Sequence, residues 1–359
     1  MWSHWICDTI SGARLLEVKP RSSRWRTSIS GVGSGRHSFT LRDRATVISG
    51  SVWRDIATPW ARTVVVCWDD VPQYAGLIRG NSYDQGSGVL TLETVELRAV
   101  FEMRMPFGVP DYDPNGVRSV TGKSLRGIAR QVIRWGTFNT SPFDDWYLPV
   151  ILPGDESGSE SRSWQMYNFE TVEQMLRQVQ DTKNGPDIHL QPRWGTGGAL
   201  EWAARIGTPR LTGTTFEWDT TAERSGLSGL TVGADASKQL TGVFALGAGS
   251  EADMKVGQSP FEGVPGTHIP NLDKTRSFKT IPEKGQLDKR ALAELEAFRE
   301  PSQMVEFGVG ASGVLPALLP GSVLRAWVED DEWIPDGWIS GYTVGISGDL
   351  TDALKVEVV

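Results

Sequence analysis

Apolar and polar positions alternate with a period of two through much of the first hundred residues. Runs such as ARLLEVK (13–19), RHSFTLR (36–42), ARTVVVCW (61–68), YAGLIRG (74–80) and GVLTLETVELRAVFEMR (88–104) are separated by Gly, Ser, Asp and Pro. They predict several short strands, a pattern typical of a barrel or sandwich. The Gly-rich GVGSGRHS (31–38) between two runs lacks GxGxxG spacing and a following helix, so it reads as a turn and not a dinucleotide loop.

After MPFGVPDYDPNG (105–116) the period lengthens. Over 122–135, Leu125, Ile128, Ala129, Val132 and Ile133 fall on one helical face, with Thr121 as the expected N-cap. A second helix is expected over 171–182, with Val172, Met175, Leu176 and Val179 inward. LPGDESGSESRS (152–163) reads as a polar surface loop, and DIHLQPRW (187–194) and ALEWAARIG (199–207) as strands. The chain is β-like again from Thr214 to Gly249, and a Gly/Pro-rich stretch follows to about Lys284. An amphipathic helix over 287–300 is expected to turn Leu292, Leu295 and Phe298 to one side. Strands return at MVEFGVG, SVLRAWVE, GWISGYTVGI and ALKVEVV.

A repeat joins the two ends of the chain. PWARTVVVCWDDVPQYAGLIRG (59–80) aligns without a gap on PGSVLRAWVEDDEWIPDGWISG (320–341), placing Asp69 and Asp70 on Asp330 and Asp331, and Gly76 on Gly337. Each copy reads as a strand, an acidic turn and a G-x-I-x-G strand, then a Gly/Asp turn and another alternating strand. Asp suits such a turn because its carboxylate bonds the local backbone. Two related β-domains are therefore expected.

Composition narrows the function classes. The net charge of −8 comes without a basic stripe, which weighs against a protein that grips nucleic acid. No apolar run reaches about 18 residues, and the start carries no basic-then-apolar pattern, so neither a membrane anchor nor a signal peptide is expected. Cys7 and Cys67 read as free thiols of a reducing compartment. The four histidines, His4, His37, His189 and His268, have no paired spacing for a metal. The 15 tryptophans fit buried cores and subunit interfaces, with sugar stacking as the rival use.

Candidate chemistry is thin. GKS (122–124) opens a helix as in a P-loop, but five residues separate Gly116 from Gly122 where four are needed, and a helix start accounts for it. Asp111, Asp113, Asn115 and Gly116 have the opening spacing of a calcium loop, yet Gly122 stands where the bidentate Glu belongs. Asp69 with Asp70, and Asp330 with Asp331 and Glu332, could imitate a glycosidase pair. That pair must face itself across about 5–9 Å, whereas neighbours on a turn diverge. No GxSxG elbow or cysteine-nucleophile signature occurs. No catalytic, cofactor or metal residue is assigned, and no enzyme is expected.

Three stretches carry a family resemblance: PQYAGLIRG followed by TLETVELRAVFEMR, then FETVEQMLRQVQDTKNGPDIHLQPRW, then PGSVLRAWVEDDEW…GWISG. Together they resemble the tail-hub, or baseplate hub, proteins of tailed bacteriophages, the minor tail proteins of siphophages. The resemblance implies a mainly β fold with α/β inserts. It implies a first tube-type β-barrel at 1–107, an α/β insert at 108–206 and a discontinuous second barrel at 207–232 with 300–359. A smaller accessory domain would lie at 233–299. It further implies a homotrimer whose six barrels form a pseudo-six-fold ring at the virion tail tip, assembled in the host cytoplasm. That ring would close the tail tube, leave a channel for DNA that passes without specific binding, and meet the distal tail, tape measure and receptor-binding proteins. No wall-degrading or fibre domain is expected after the second barrel. The alternative is a Trp-rich β-protein that binds or cleaves cell-wall carbohydrate.

Overall fold

The alternating runs form strands in a computed structural model that describes residues 1–29, 31–42, 48–138, 146–223, 225–260, 268–278 and 281–359. In chain order these are β1 (Trp2–Asp8), β2 (Arg14–Glu17), β3 (Ser22–Ser28), β4 (Ser34–Thr40), helix α1 (Gly50–Ile56), β5 (Arg62–Trp68), β6 (Val71–Asp84) and β7 (Val89–Glu96). The sheet order is β1-β5-β6-β7-β4-β3, antiparallel throughout. This sheet curls until its two ends meet through side chains. The Trp2 and Trp25 rings lie 5.9 Å apart, and His4 Nε2 is 3.0 Å from Ser23 Oγ.

Both faces are buried along β5 and the parts of β1 and β6 beside it, while β3 and β4 leave their outer face exposed. On the inner face Ile6, Phe39, Val64, Ile78 and Leu92 pack against Trp53 and Ile56 of α1, which closes one end. On the outer face Cys7, Val65, Cys67, Ala75 and Leu77 share a core with the following segment. Burial on both faces explains the unbroken apolar run Val64–Val65–Val66.

The strand expected to continue to Arg104 stops at Glu96, and α2 (Arg98–Glu102) follows. Leu97 and Phe101 are both fully buried four residues apart, a helical spacing inside what looked like β alternation. Next come β8 (Val117–Lys123), α3 (Leu125–Thr137), β9 (Val150–Ile151), β10 (Glu160–Gln165), α4 (Val172–Gln180), β11 (Ile188–Trp194) and β12 (Leu200–Ile206). The N-cap of α3 is Ser124, not Thr121, because Thr121 is committed to pairing with Ser161 across β8 and β10. That pairing also takes Glu160–Ser163 out of the expected surface loop. On α3, Ile128, Ala129, Val132 and Ile133 are buried as expected. On α4, Val172, Met175, Leu176 and Val179 are buried beneath a capping box of Thr171 and Gln174. Truncating Ile128, Ile133, Met175 or Leu176 to Ala would cost about 2–5 kcal/mol where the cavity cannot collapse.

The last strands are β13 (Thr215–Asp219), β14 (Leu227–Asp235), β15 (Gly242–Leu246), β16 (Val256–Gln258), β17 (Asp273–Ser277), helix α5 (Lys284–Phe298), β18 (Ser302–Gly310), α6 (Ala311–Val314), β19 (Val323–Val328), β20 (Gly337–Gly348) and β21 (Ala353–Val358). A second array has the order β13-β19-β20-β21-β18-β14. Five strands thus repeat in chain order and in sheet order: β3, β4, β5, β6 and β7 match β14, β18, β19, β20 and β21. A helix stands before the central hairpin in each, α1 in one and α6 in the other. The sixth position differs, since β1 runs antiparallel to β5 while β13 runs parallel to β19.

The chain divides into two compact units, Met1–Leu230 with Glu306–Val358, and Thr231–Val305. The second unit has its own three-stranded sheet, β16-β15-β17, covered by α5. Leu287, Ala291 and Leu295 form the buried stripe of α5, whereas Leu292, expected inside, is exposed and Phe298 is half-buried. The true stripe uses a small residue, Ala291, which a search for large apolar side chains passes over. Part of the Gly/Pro-rich stretch expected before α5, at 261–267 and 279–280, lies outside the described residues.

Candidate functional site

Asp69 and Asp70 connect β5 to β6 as the two central residues of a tight hairpin turn, Trp68 pairing with Val71. Both have positive φ, 47° and 62°, as a type I′ turn requires. Asp69 meets the Met1 amine. Asp70 lies 3.5 Å from Arg14, and its carbonyl accepts from Trp194 Nε1 at 2.8 Å. The Arg14 guanidinium sits 3.7 Å over the Trp194 ring. The turn therefore fastens the first array to β11.

The twin turn is built differently. Val328 pairs with Gly337, so 329–336 forms a longer loop. In it the Asp331 carboxylate accepts from the Trp333 and Ile334 N–H groups at 2.8 Å, and Asp336 accepts from the Asp330 N–H at 3.0 Å. Pairing registers differ as well: Val64 faces Gly76, whereas Arg325, at the equivalent position, faces Ser340. The repeat survives as strand order while its acidic turns have diverged.

The other candidates are also used locally. Ser124 of the GKS stretch caps α3, and Lys123 pairs with Asp155. Asp113 holds its own turn, accepting from the Asn115 N–H at 2.9 Å. Among the described residues no group of three or more His, Cys, Asp or Glu is placed to hold a metal ion. Cys7 and Cys67 are free and buried, and burial pushes both thiols up to about 12.

The arrangement that sequence reasoning missed is the seam between the arrays. β3 and β20 pair antiparallel, Ser28 with Gly345 through Trp25 with Gly348, so one sheet runs from one array into the other. The Ile29 N–H donates to the Val344 carbonyl at 3.0 Å, and Trp2 Nε1 to the Thr351 carbonyl at 2.7 Å. Arg26 on β3 grips Glu357 on β21 through two parallel bonds, a geometry that suits guanidinium and carboxylate. A Cβ at Gly348 would come within 2.8 Å of the Trp25 ring, so this close approach needs glycine.

Beside the seam, Thr27 donates to Glu96 at 2.5 Å, and the Gly33 N–H donates to the other Glu96 oxygen at 2.8 Å. Burial raises the Glu96 carboxyl to about 7 despite these bonds. Within the first array runs a buried polar chain, His4–Ser23–His37–Thr94–Tyr74, with links of 2.8 to 3.3 Å. Burial lowers His4 to about 4 and His37 to about 3, so both imidazoles are neutral at pH 7. Each of these side chains bonds its neighbour in the row and is buried, which suits a structural filling.

No protein-family model matches the chain. No curated protein matches it in sequence. Solved structures do. A 43 kDa tail protein of prophage MuSo2 from Shewanella oneidensis superposes with a TM-score of 0.59 at 10% identity, covering 99% of this chain and 98% of that one. A tail protein from Neisseria meningitidis MC58 gives 0.55 at 14% identity, covering 99% and 96%. The fold is that of phage tail proteins. The tail-protein fold extends over both arrays and the segments between them, since the superpositions span nearly the whole of each chain. It is mainly β, as the alternation and the resemblance implied.

Proposed function

We propose that the chain is the structural hub of a phage tail tip. It would form a trimeric, pseudo-six-fold ring that closes the distal tail tube, anchors baseplate and receptor-binding proteins and leaves a channel for DNA ejection. The observation that carries this reading is the repeated five-strand order joined edge to edge through β3 and β20. A subunit with two similar arrays in one sheet gives six similar arrays in three copies, which lets three-fold symmetry meet a six-fold tube. The tail-protein fold supports the same location in the virion.

In this reading the tube-type barrels occupy 1–107, and 207–232 with 300–359. The α/β insert at 108–206 stands between the two copies in sequence, and the accessory domain at 233–299 stands in sequence between β14 and β18, which match β3 and β4 of the first copy. The partners are the distal tail protein, the tail tube, the tape measure protein and other minor tail proteins. The role is architectural, because the acidic pairs that suggested glycosidase chemistry are spent on turns.

Light scattering on the purified chain tests the reading. The expected mass is three times the 39.4 kDa chain, alone or on adding the distal tail protein. A single-chain mass under both conditions, with binding or turnover of peptidoglycan, would favour the carbohydrate alternative instead.

A further inference from the structure

On the solvent side of the first array a row of charges crosses four strands. Arg24 on β3 is directly opposite Arg36 on β4, Arg36 is opposite Glu93 on β7, and Arg79 occupies the irregularity of β6 beside Gly80, the partner of Glu93. All four side chains are exposed and line a groove of about 620 Å³ that extends to Ser347 on β20. Arg26, also in the groove, is held by Glu357. The side chains of Arg24, Arg36 and Arg79 have neither a hydrogen bond nor an ion pair among the described residues. Like charges directly opposite on neighbouring strands weaken the pairing. Here they stand in a chain whose net charge is −8. Unpaired guanidinium forks of this kind fit carboxylates.

The same molecule carries the complement. The loop 329–336 exposes Glu329, Asp330, Asp331, Glu332 and Asp336, none in an ion pair among the described residues, with Trp333 83% exposed among them. Its turn is already folded by the Asp331 and Asp336 bonds described above, so little ordering is needed on docking. One chain cannot join the two features. Ser347 borders the groove and Gly337 ends the loop, ten residues apart on the single strand β20. At about 3.3 Å per residue they are separated by roughly 33 Å. The occupant must come from another copy.

We propose that the acidic loop 329–336 of one copy docks in the Arg24–Arg36–Arg79 groove of the next, with Trp333 stacked on a guanidinium. The contact is heterologous, joining different patches of two copies, and such contacts build rings when the rotation closes. It rests on the ring reading above and specifies the surface that makes the ring. Arginine over indole is a favourable pairing that the chain already uses, with Arg14 lying 3.7 Å over the Trp194 ring.

The test uses the full chain and three variants: R24E/R36E, D330K/E332K (sparing the Asp331 and Asp336 that fold the loop), and all four changes together. Circular dichroism checks folding, and the milder R24Q/R36Q stands in if R24E/R36E misfolds. The wild type should run as an oligomer that weakens as salt rises. Each double variant should dissociate at concentrations on the order of tenfold higher or more, and the four-fold variant should regain assembly because both charges are swapped. A wild-type oligomer unchanged in the double variants would overturn this interface and leave the ring reading standing. A folded four-fold variant that stays dissociated would overturn the charge pairing. A wild type that is a single chain under every condition would remove the ring reading and this contact with it. Binding of a short DNA duplex that R24E/R36E abolishes, with assembly unchanged, would assign the groove to nucleic acid instead.

Discussion

Replacing Glu173 with glutamine removes one negative charge from the place where α4 meets α2. Glu173 Oε2 accepts from Arg98 Nε at 2.7 Å, and Oε1 accepts from Arg177 Nε at 2.8 Å. The distances are alike but the burial is not. The Arg98 and Glu173 side chains are 7% and 4% exposed, whereas Arg177 is 55% exposed. Breaking a buried pair strands a charge and costs about 3–5 kcal/mol, while an exposed pair contributes about 0–1 kcal/mol. Arg98 also donates to Gln180 and to the Ile29 carbonyl, so Glu173→Gln should fall near the lower end, about 3 kcal/mol. Arg177→Gln should cost no more than about 1 kcal/mol. Replacing both partners by Arg98→Met with Glu173→Leu should cost less than Glu173→Gln alone, since no charge is left behind. Urea unfolding followed by tryptophan fluorescence measures all three. A Glu173→Gln cost below about 1 kcal/mol, or one equal to that of Arg177→Gln, would show that burial adds nothing to the Arg98–Glu173 pair.

Other outcomes follow from the same structure. His4, His37 and His189 are held neutral by burial, at about 4, 3 and 3 against 6.5 unfolded, so the unfolded chain binds their protons first. Their contribution is complete above about pH 6.5 and is lost as pH falls below it. Glu96, raised from 4.5 to about 7, binds its proton in the native state, so its contribution is complete below pH 4.5 and is lost as pH rises to 7. Three imidazoles outweigh one carboxyl, so the urea midpoint should fall from pH 6.5 to pH 5, and more steeply in Glu96→Gln; a midpoint that rises would contradict this. Both cysteines should resist a disulfide reagent in the native chain and react after unfolding, and fast native reaction would show that the outer face of β1 and β5 is open. Asp70→Gly should stabilise by about 0.5–1 kcal/mol, since glycine takes positive φ freely and the exposed Arg14 contact is weak; destabilisation in the same urea assay would mean that the Arg14–Asp70 contact outweighs the backbone gain.

The helices α3 and α4 were legible because each turns a large apolar stripe to one side. β3, SSRWRTS, was not, because its inner face mixes Trp25 with Ser23 and Thr27 while its outer face is arginine. A filling that includes a polar chain of His, Ser, Thr and Tyr erases the apolar alternation that marks a strand. The seam was hidden for the same reason, since β3 supplies it and its partner GISG at 345–348 offers mostly backbone. The repeat was legible in 59–80 and 320–341, where turn residues and glycines coincide, but the pairing register was not. Register depends on loop length, and nothing in the letters separates a two-residue turn at Asp69 and Asp70 from the longer loop that starts at Glu329.

Cryo-electron microscopy of the purified assembly, or of the tail tip that contains it, decides whether the ring forms. The map should show a three-fold ring in which each chain contributes two arrays of the same strand order, joined through β3 and β20, to a six-fold wall around an open channel. A particle without three-fold symmetry, or one in which only one array of each chain reaches the wall, would contradict it.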